Sequence, residues 1–335
     1  MTMHHPETVR RCLLPIALAV GILFFVYSVH SQDPLQVGFG VFTVDGDDEI
    51  AVGTALFSQT NTEGVLIWEA GVAAVEPLSH GRIFVDQEQD TKTAIALANP
   101  GNDPVTVTLT LRDSAGREVD SSTKNFAPKQ HQALFVDELF PEISDFTGSL
   151  TFQTQENTEK LAAVTLRQNT NLMDEEIFAT LPVVDLTETP NTASIVFPHI
   201  GAGEGLSTQL VLMNSSESTV VGQIQLVGST GVPLELELDE VMGSTFPYQI
   251  EAHGTFRGQL SSTGPVTTGY AVVTPDEGHQ TPSGSAIFQF TASGSVLSEA
   301  GVGATFPQRK PAFSWTTPAP EPGSPSPAPA TPRRP

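Results

Sequence analysis

The stretch Thr93–Val119, "TAIALANPGNDPVTVTLTLRDSAGREV", decides the fold. Val105, Val107, Leu109 and Leu111 alternate with Thr106, Thr108 and Thr110, a period of two with threonine on one face. That is the pattern of a half-buried antiparallel strand. "NPGND" before it and "DSAG" (Asp113–Gly116) after it carry turn residues, with glycine where φ is expected to be positive.

The same stretch occurs again. "TQLVLMNSSESTVVGQIQLVGSTGVPL" (Thr208–Leu234) lies over it without a gap, 115 residues later. Thr93, Leu97, Asn99, Val105, Leu111, Ser114 and Gly116 meet Thr208, Leu212, Asn214, Val220, Leu226, Ser229 and Gly231. A second block also repeats. "GTALFSQTNTEGVLIWEAGVAAVEP" (Gly53–Pro77) matches "GSAIFQFTASGSVLSEAGVGATFP" (Gly284–Pro307) with one gap, and "AAVTLRQNTNLMDEEIFATLP" (Ala162–Pro182) is a weaker copy between them. Internal repetition dictates architecture, because each copy is one structural unit. The two kinds of block alternate and imply a unit of about 105 to 125 residues, so residues 36–315 hold two and a half units.

The unpaired half can lead the chain (36–80) or trail it (258–315). We place it first, because "DLTETPNTA" (Asp185–Ala193) has the best linker composition between units. The expected organisation is a half-repeat at 36–80, one module at 81–190 and a second at 191–315. Helical signals are scarce. Only "VDELFPEI" (Val136–Ile143) reads as a short helical turn, cut off by Pro141. The expected fold class is all-β, with several short antiparallel strands per module.

The run "ALANPGNDPVTVTLTLRDSAGREV", followed by "FAPKQHQALFV", resembles the immunoglobulin-like or fibronectin-like β-sandwich modules that occur in tandem on secreted and surface bacterial proteins. The second copy departs from that pattern, with Ser215 and Ser216 in place of Pro-Gly. The resemblance implies tandem immunoglobulin-like antiparallel sandwiches with an extra half-repeat. It also implies spacer, adhesive or accessory roles, and it brings no catalytic residues.

The ends of the chain differ from its body. Arg10 and Arg11 precede an apolar run, Cys12–Val29, and Val29 and Ser31 suit positions −3 and −1 of a cut before Gln32. Residues 1–31 therefore read as a cleaved export signal. An uncleaved anchor through residues 12–29 is the alternative, since eighteen apolar residues approach the length of a membrane span. The expected location is secreted, cell-surface or periplasmic. Cys12 is the only cysteine, so the mature chain has no disulfide and depends on burial for stability. At the other end, eight of the twenty residues 316–335 are proline, which implies an extended or disordered tail.

The full chain carries a formal charge of −23. A field of that sign repels phosphate backbones, so nucleic acid is not an expected partner. A cell-surface or extracellular protein or a glycan is. "DGDDE" sets Asp45, Asp47, Asp48 and Glu49 within five residues, and they are carried forward as candidate calcium ligands because calcium binds six to eight oxygens. Against that reading, the spacing is not Asp-x-Asp-x-Asp-Gly, and Asp-Gly is also a hairpin turn. No other cofactor is expected.

"IGAGEGL" (Ile200–Leu206) lacks the lysine and following helix of a phosphate loop, so it reads as a loop between strands. The histidines are scattered, and no Gly-x-Ser-x-Gly elbow or reactive cysteine is present. No catalytic residue is assigned. Trp68 stands where the last copy has Ser298, and it reads either as an exposed stacking surface or as a ring covering a sheet edge. The sequence thus favours a non-catalytic structural, adhesive or accessory protein. A ligand-binding module is the alternative and an extracellular hydrolase the third reading.

Overall fold

The computed structural model describes residues 38–43, 53–61, 63–156 and 158–306. The export segment 1–31, the candidate ligands Asp45, Asp47, Asp48 and Glu49, and the proline-rich segment 316–335 lie outside the described residues. Within them the protein is all-β, built from small antiparallel sheets with one four-residue helix.

A leading hairpin joins β1 (Thr54–Thr60) to β2 (Leu66–Ala73). The next region contains β3 (His80–Gln87), β4 (Thr91–Ala98), β5 (Val105–Asp113), β6 (Glu118–Phe126) and β7 (His131–Phe135). It continues through α1 (Val136–Leu139), β8 (Phe146–Thr154), β9 (Ala162–Thr170), β10 (Glu176–Leu181) and β11 (Val184–Asp185). Its sheets run β10-β9-β4-β7 and β11-β3-β8-β5-β6. Both contribute to one core that includes Ile83, Ile95, Leu109, Phe152 and Ala163.

The last region contains β12 (Ile195–Ala202), β13 (Leu206–Met213), β14 (Val220–Gly228), β15 (Leu236–Leu238) and β16 (Val241–Gly243). It ends with β17 (Thr245–Ile250), β18 (Thr255–Ser261), β19 (Thr267–Pro275), β20 (Ser283–Ala292) and β21 (Ser295–Gly303). Sheets β12-β19-β14-β17 and β16-β15-β18-β13-β20-β21 share a second core around Ile200, Leu212, Ile224 and Leu260. We refer to the regions as the leading hairpin, the first unit and the second unit.

The alternation in the sequence sets the faces. Along β5, Val105, Val107, Leu109 and Leu111 are buried while the intervening threonines are half-buried. Strands β3, β4 and β5 have the same bounds as β12, β13 and β14 at an offset of 115. The matched polar residues also do the same work. Asn99 Nδ2 donates to the carbonyls of Asp103, Phe126 and Ala127, and Asn214 Nδ2 donates to those of Ser218, Ile250 and Glu251. Thr93 Oγ1 bonds both backbone groups of Asp86, and Thr208 Oγ1 does so with Gly201. Each asparagine thus satisfies buried carbonyls that the ladders leave open, so the side chain is part of the fold.

Turns follow the same rule. Gly116 and Gly231 stand at φ +80° and +84°, and each donates its N–H back across the turn. "IGAGEGL" is the tight connection from β12 to β13, with Gly203 and Gly205 at positive φ. Helix α1 is capped by Glu138, whose carboxylate accepts from the N–H of Phe135, and it stops two residues before Pro141.

Candidate functional site

The chemistry concentrates where the regions meet. Three hairpins, β1–β2, β9–β10 and β20–β21, are built on one register: Phe57, Arg167 and Phe288 each pair across the hairpin with an alanine (Ala70, Ala179 and Ala300). One step back, Leu56, Leu166 and Ile287 pair with Gly71, Thr180 and Gly301. One step on, Ser58, Gln168 and Gln289 pair with Glu69, Phe178 and Glu299. Because side chains alternate along a strand, each hairpin has two faces, and β9–β10 receives the leading hairpin on one and gives the other to the second unit.

At the first joint the leading hairpin gives and the first unit receives. Trp68 packs on Phe178, with ring centroids 5.1 Å apart, and Phe57 meets Trp68 edge-on at 5.4 Å. Trp68 is only 5% exposed and donates from Nε1 to Gln59 Oε1 at 2.8 Å, so it is a packed anchor and not an open stacking surface. Leu166 and Ala94 close the joint against Phe57, and Thr180 Oγ1 donates to the Gly71 carbonyl at 2.6 Å.

At the second joint the first unit gives and the second receives. Phe84 and Leu181 pack on Val211, Met213 and Ile287. Where the first joint sets Phe57 and Phe178 about Trp68, this one sets Arg167 against Glu299. Arg167 is 3% exposed, and its guanidinium bonds Glu299 Oε2 and, at 3.0 Å, Asp86 Oδ2. Burial alone would lower the pKa of Arg167, but the carboxylates of Glu299 and Asp86 offset it and hold the group above its ordinary value. Arg257 extends the network from β18, 3.5 Å from Asp86 Oδ1 and 2.7 Å from Glu88 Oε2. Glu88 also accepts from Thr147, and the hydroxyl and Arg257 together keep its carboxyl below the usual range. Three carboxylates face two guanidiniums, and Glu299 Oε1 and Arg167 Nε have no hydrogen-bond partner.

A second contact reinforces this joint. Arg82 Nη1 donates to the Asn214 carbonyl at 2.7 Å, and its pKa is pushed down to about 10 by burial and then by Arg112. Gly116 lies against the loop Ala252–Gly254, and a Cβ there would stand 1.9 Å from the Ala252 carbonyl oxygen. Only glycine fits both the positive φ and this approach.

A cavity of about 610 Å³ opens beside the first joint. Phe39 and Phe42 line one side, Val72 and Val75 another, and Ala96, Ala98, Ala162 and Val164 of β4 and β9 form the floor. In the second unit Val211 and Met213 occupy the places of Ala96 and Ala98 and are covered by Phe84. The cavity therefore results from small floor residues combined with a leading region that has no described counterpart of β3. His131 and Lys160 are its polar groups on this side. Burial lowers the His131 pKa, so the imidazole is neutral at pH 7.

Sequence reading singled out Trp68 but missed Arg167, Asp86, Glu299 and Arg257, which are lone charges far apart in the chain and converge only through folding. The signal available was Arg167 itself, standing in a hairpin where the other copies have phenylalanine. Asp86 and Glu299 of this network are buried and salt-bridged, an arrangement suited to holding two units together. Among the described residues no group of three or more His, Cys, Asp or Glu could hold a metal ion, and no helix is long and apolar enough to cross a membrane.

No protein-family model matches the chain, and no curated protein matches it significantly. Among solved structures it is similar to "Crystal structure of PBSX exported protein XepA", with 11% identity over 74% of this chain and 100% of that one, at a TM-score of 0.17.

Proposed function

We propose that the protein is an exported, non-catalytic scaffold of tandem immunoglobulin-like β-sandwiches with a leading half-repeat, acting as a structural, adhesive or accessory module outside the cytoplasm. The observation that carries this reading is the joint. Breaking a buried ion pair costs about 3–5 kcal/mol, so Arg167 with Asp86 and Glu299 resists bending between units. A rigid spacer needs that stiffness. Its expected partner is a surface or extracellular protein or a glycan. The test is surface fractionation with protease shaving, followed by binding screens on glycans and matrix proteins. Replacing exposed turns one at a time leaves a scaffold's function intact, whereas turnover of a polysaccharide or peptide abolished by one carboxylate substitution would contradict it.

The cavity favours a second reading, a ligand-binding module at a boundary between regions. Its aliphatic and aromatic walls suit an apolar ligand better than a sugar, which needs many polar partners. Displacement of an apolar fluorescent dye, lost in Ala98→Met, tests it, and no dye binding contradicts it. The calcium proposal at Asp45, Asp47, Asp48 and Glu49 has its own check: millimolar calcium raises the melting temperature, and Asp47→Asn removes the rise.

A further inference from the structure

The chain makes one joint twice, and among the described residues the first and last hairpins present the unmatched halves of that joint. The receiving half is exposed on the leading hairpin. Leu56, the counterpart of Leu166 and Ile287, is 70% exposed. Gly71, the counterpart of Thr180 and Gly301, has among the described residues only Leu56 and Thr54 of its own hairpin near the position of a Cβ. The giving half is exposed on the last hairpin. Val302 holds the place of Leu181 and is 41% exposed, Phe290 farther along the same face is 44% exposed, and Phe288, in the place of Arg167 and Phe57, is half-buried.

We propose that a second copy of this chain docks head to tail, the last hairpin of one molecule on the leading hairpin of the next. The contacts follow from those inside the chain. Ile287 meets Leu181 at the second joint, so Leu56 meets Val302 of the neighbouring copy. Gly301 abuts the Thr180 carbonyl, and Thr180 in turn bonds the Gly71 carbonyl, so Gly71 abuts the neighbour's Gly301 carbonyl. The two faces differ, so the contact is heterologous and does not close on itself as a two-fold dimer does; repeated, it yields an open filament. Two features weaken it. Each copy carries a charge of −23, so long-range repulsion opposes approach until salt screens it. Glu69 stands where Glu299 meets Arg167, but the giving face offers Phe288 and no cation.

The proposal rests on the repeated joint and not on the scaffold reading. A chain that stays monomeric could still be a scaffold, and a filament could still bind the apolar ligand. The test is sedimentation velocity on the purified protein, over a range of protein and salt concentrations. The expected result is a mean mass that grows with concentration without stopping at a dimer and grows further with salt. Leu56→Asp and Val302→Asp, each at an exposed site and with unchanged melting temperature, are monomeric alone. Mixed, they form a dimer and nothing larger, because each supplies the one intact face the other lacks. Glu69→Gln associates more strongly than wild type. A wild-type chain that stays monomeric at every concentration and salt level overturns the proposal. So does a closed dimer that neither variant disturbs, or a mixture that remains monomeric.

Discussion

The two joints inside this chain share a geometry and differ in chemistry. At the first, Phe57, Trp68 and Phe178 bury aromatic surface. At the second, Arg167 and Glu299 take the places of Phe57 and Phe178 and bury charge together with Asp86 of β3, which has no described counterpart at the first. Aromatic packing tolerates small shifts, because dispersion and area burial are non-directional. A buried guanidinium between two carboxylates does not, since each loses its partner if the units slide. The second joint therefore fixes an angle, while the first fixes attachment.

The sharpest way to break this contrast is Arg167→Ala, which strands Asp86 and Glu299 in the interior and should cost about 3–5 kcal/mol. In thermal melts the loss appears as early separation of the two units. Substituting Asp86→Leu, Arg167→Phe and Glu299→Phe together installs the aromatic chemistry of the first joint and should recover most of that loss, because apolar replacements of buried ion pairs are often neutral.

Trp68→Ala should cost about 3 kcal/mol, at the lower end for a large aromatic side chain, because only the leading hairpin detaches. Hydrogen exchange should speed up in β1 and β2 and remain slow in the second unit. Asn99→Ala and Asn214→Ala should each cost about 2 kcal/mol, the penalty for stranding buried carbonyls, and by similar amounts because the roles match. Unequal losses would weaken the equivalence of the units.

Acid separates the joints further. Burial lowers the folded pKa of His131 below its ordinary value of 6.5, so the unfolded chain binds more protons just below that pH. The stability His131 contributes is fully present above 6.5 and is lost as pH falls through the folded value. The pH dependence between 7 and 5 should therefore flatten in His131→Asn. Glu88 is depressed from 4.5, so its contribution persists to lower pH and is lost only as pH falls through its folded value. The smallest effect is expected for Lys92→Ala, whose ion pair with Asp137 is exposed at 2.8 Å and contributes about 0.2–1 kcal/mol.

What the sequence could reveal followed from local physics. The alternation along Val105–Leu111 specified a strand and its buried face, and Gly116 and Gly231 specified turns, because both depend on a few neighbouring residues. The register of 115 paired Asn99 with Asn214, though not the carbonyls of Phe126 and Ile250 that they bond on other strands. The joints were not legible. Arg167 lies 81 residues from Asp86 and 132 from Glu299, and no local pattern joins them. The cavity was hidden for another reason: it arises because Ala96 and Ala98 are small where Val211 and Met213 are large, a difference that has meaning only once the covering side is known.

One joint is built twice in this chain, and paired spin labels measure that directly. Cys12 is the only native cysteine, so once it is replaced by serine, labels can be placed at will, here in the Leu56→Asp background to keep copies apart. Glu63 and Met173 hold the same place in loops where Asn61 and Asn171 make the same side-chain bonds, and Asn125 and Gln249 hold the same place on the strands paired to β5 and β14. Labels at Glu63 with Asn125, and at Met173 with Gln249, should give matching distance distributions, the second the narrower. Two unlike mean distances would contradict the claim.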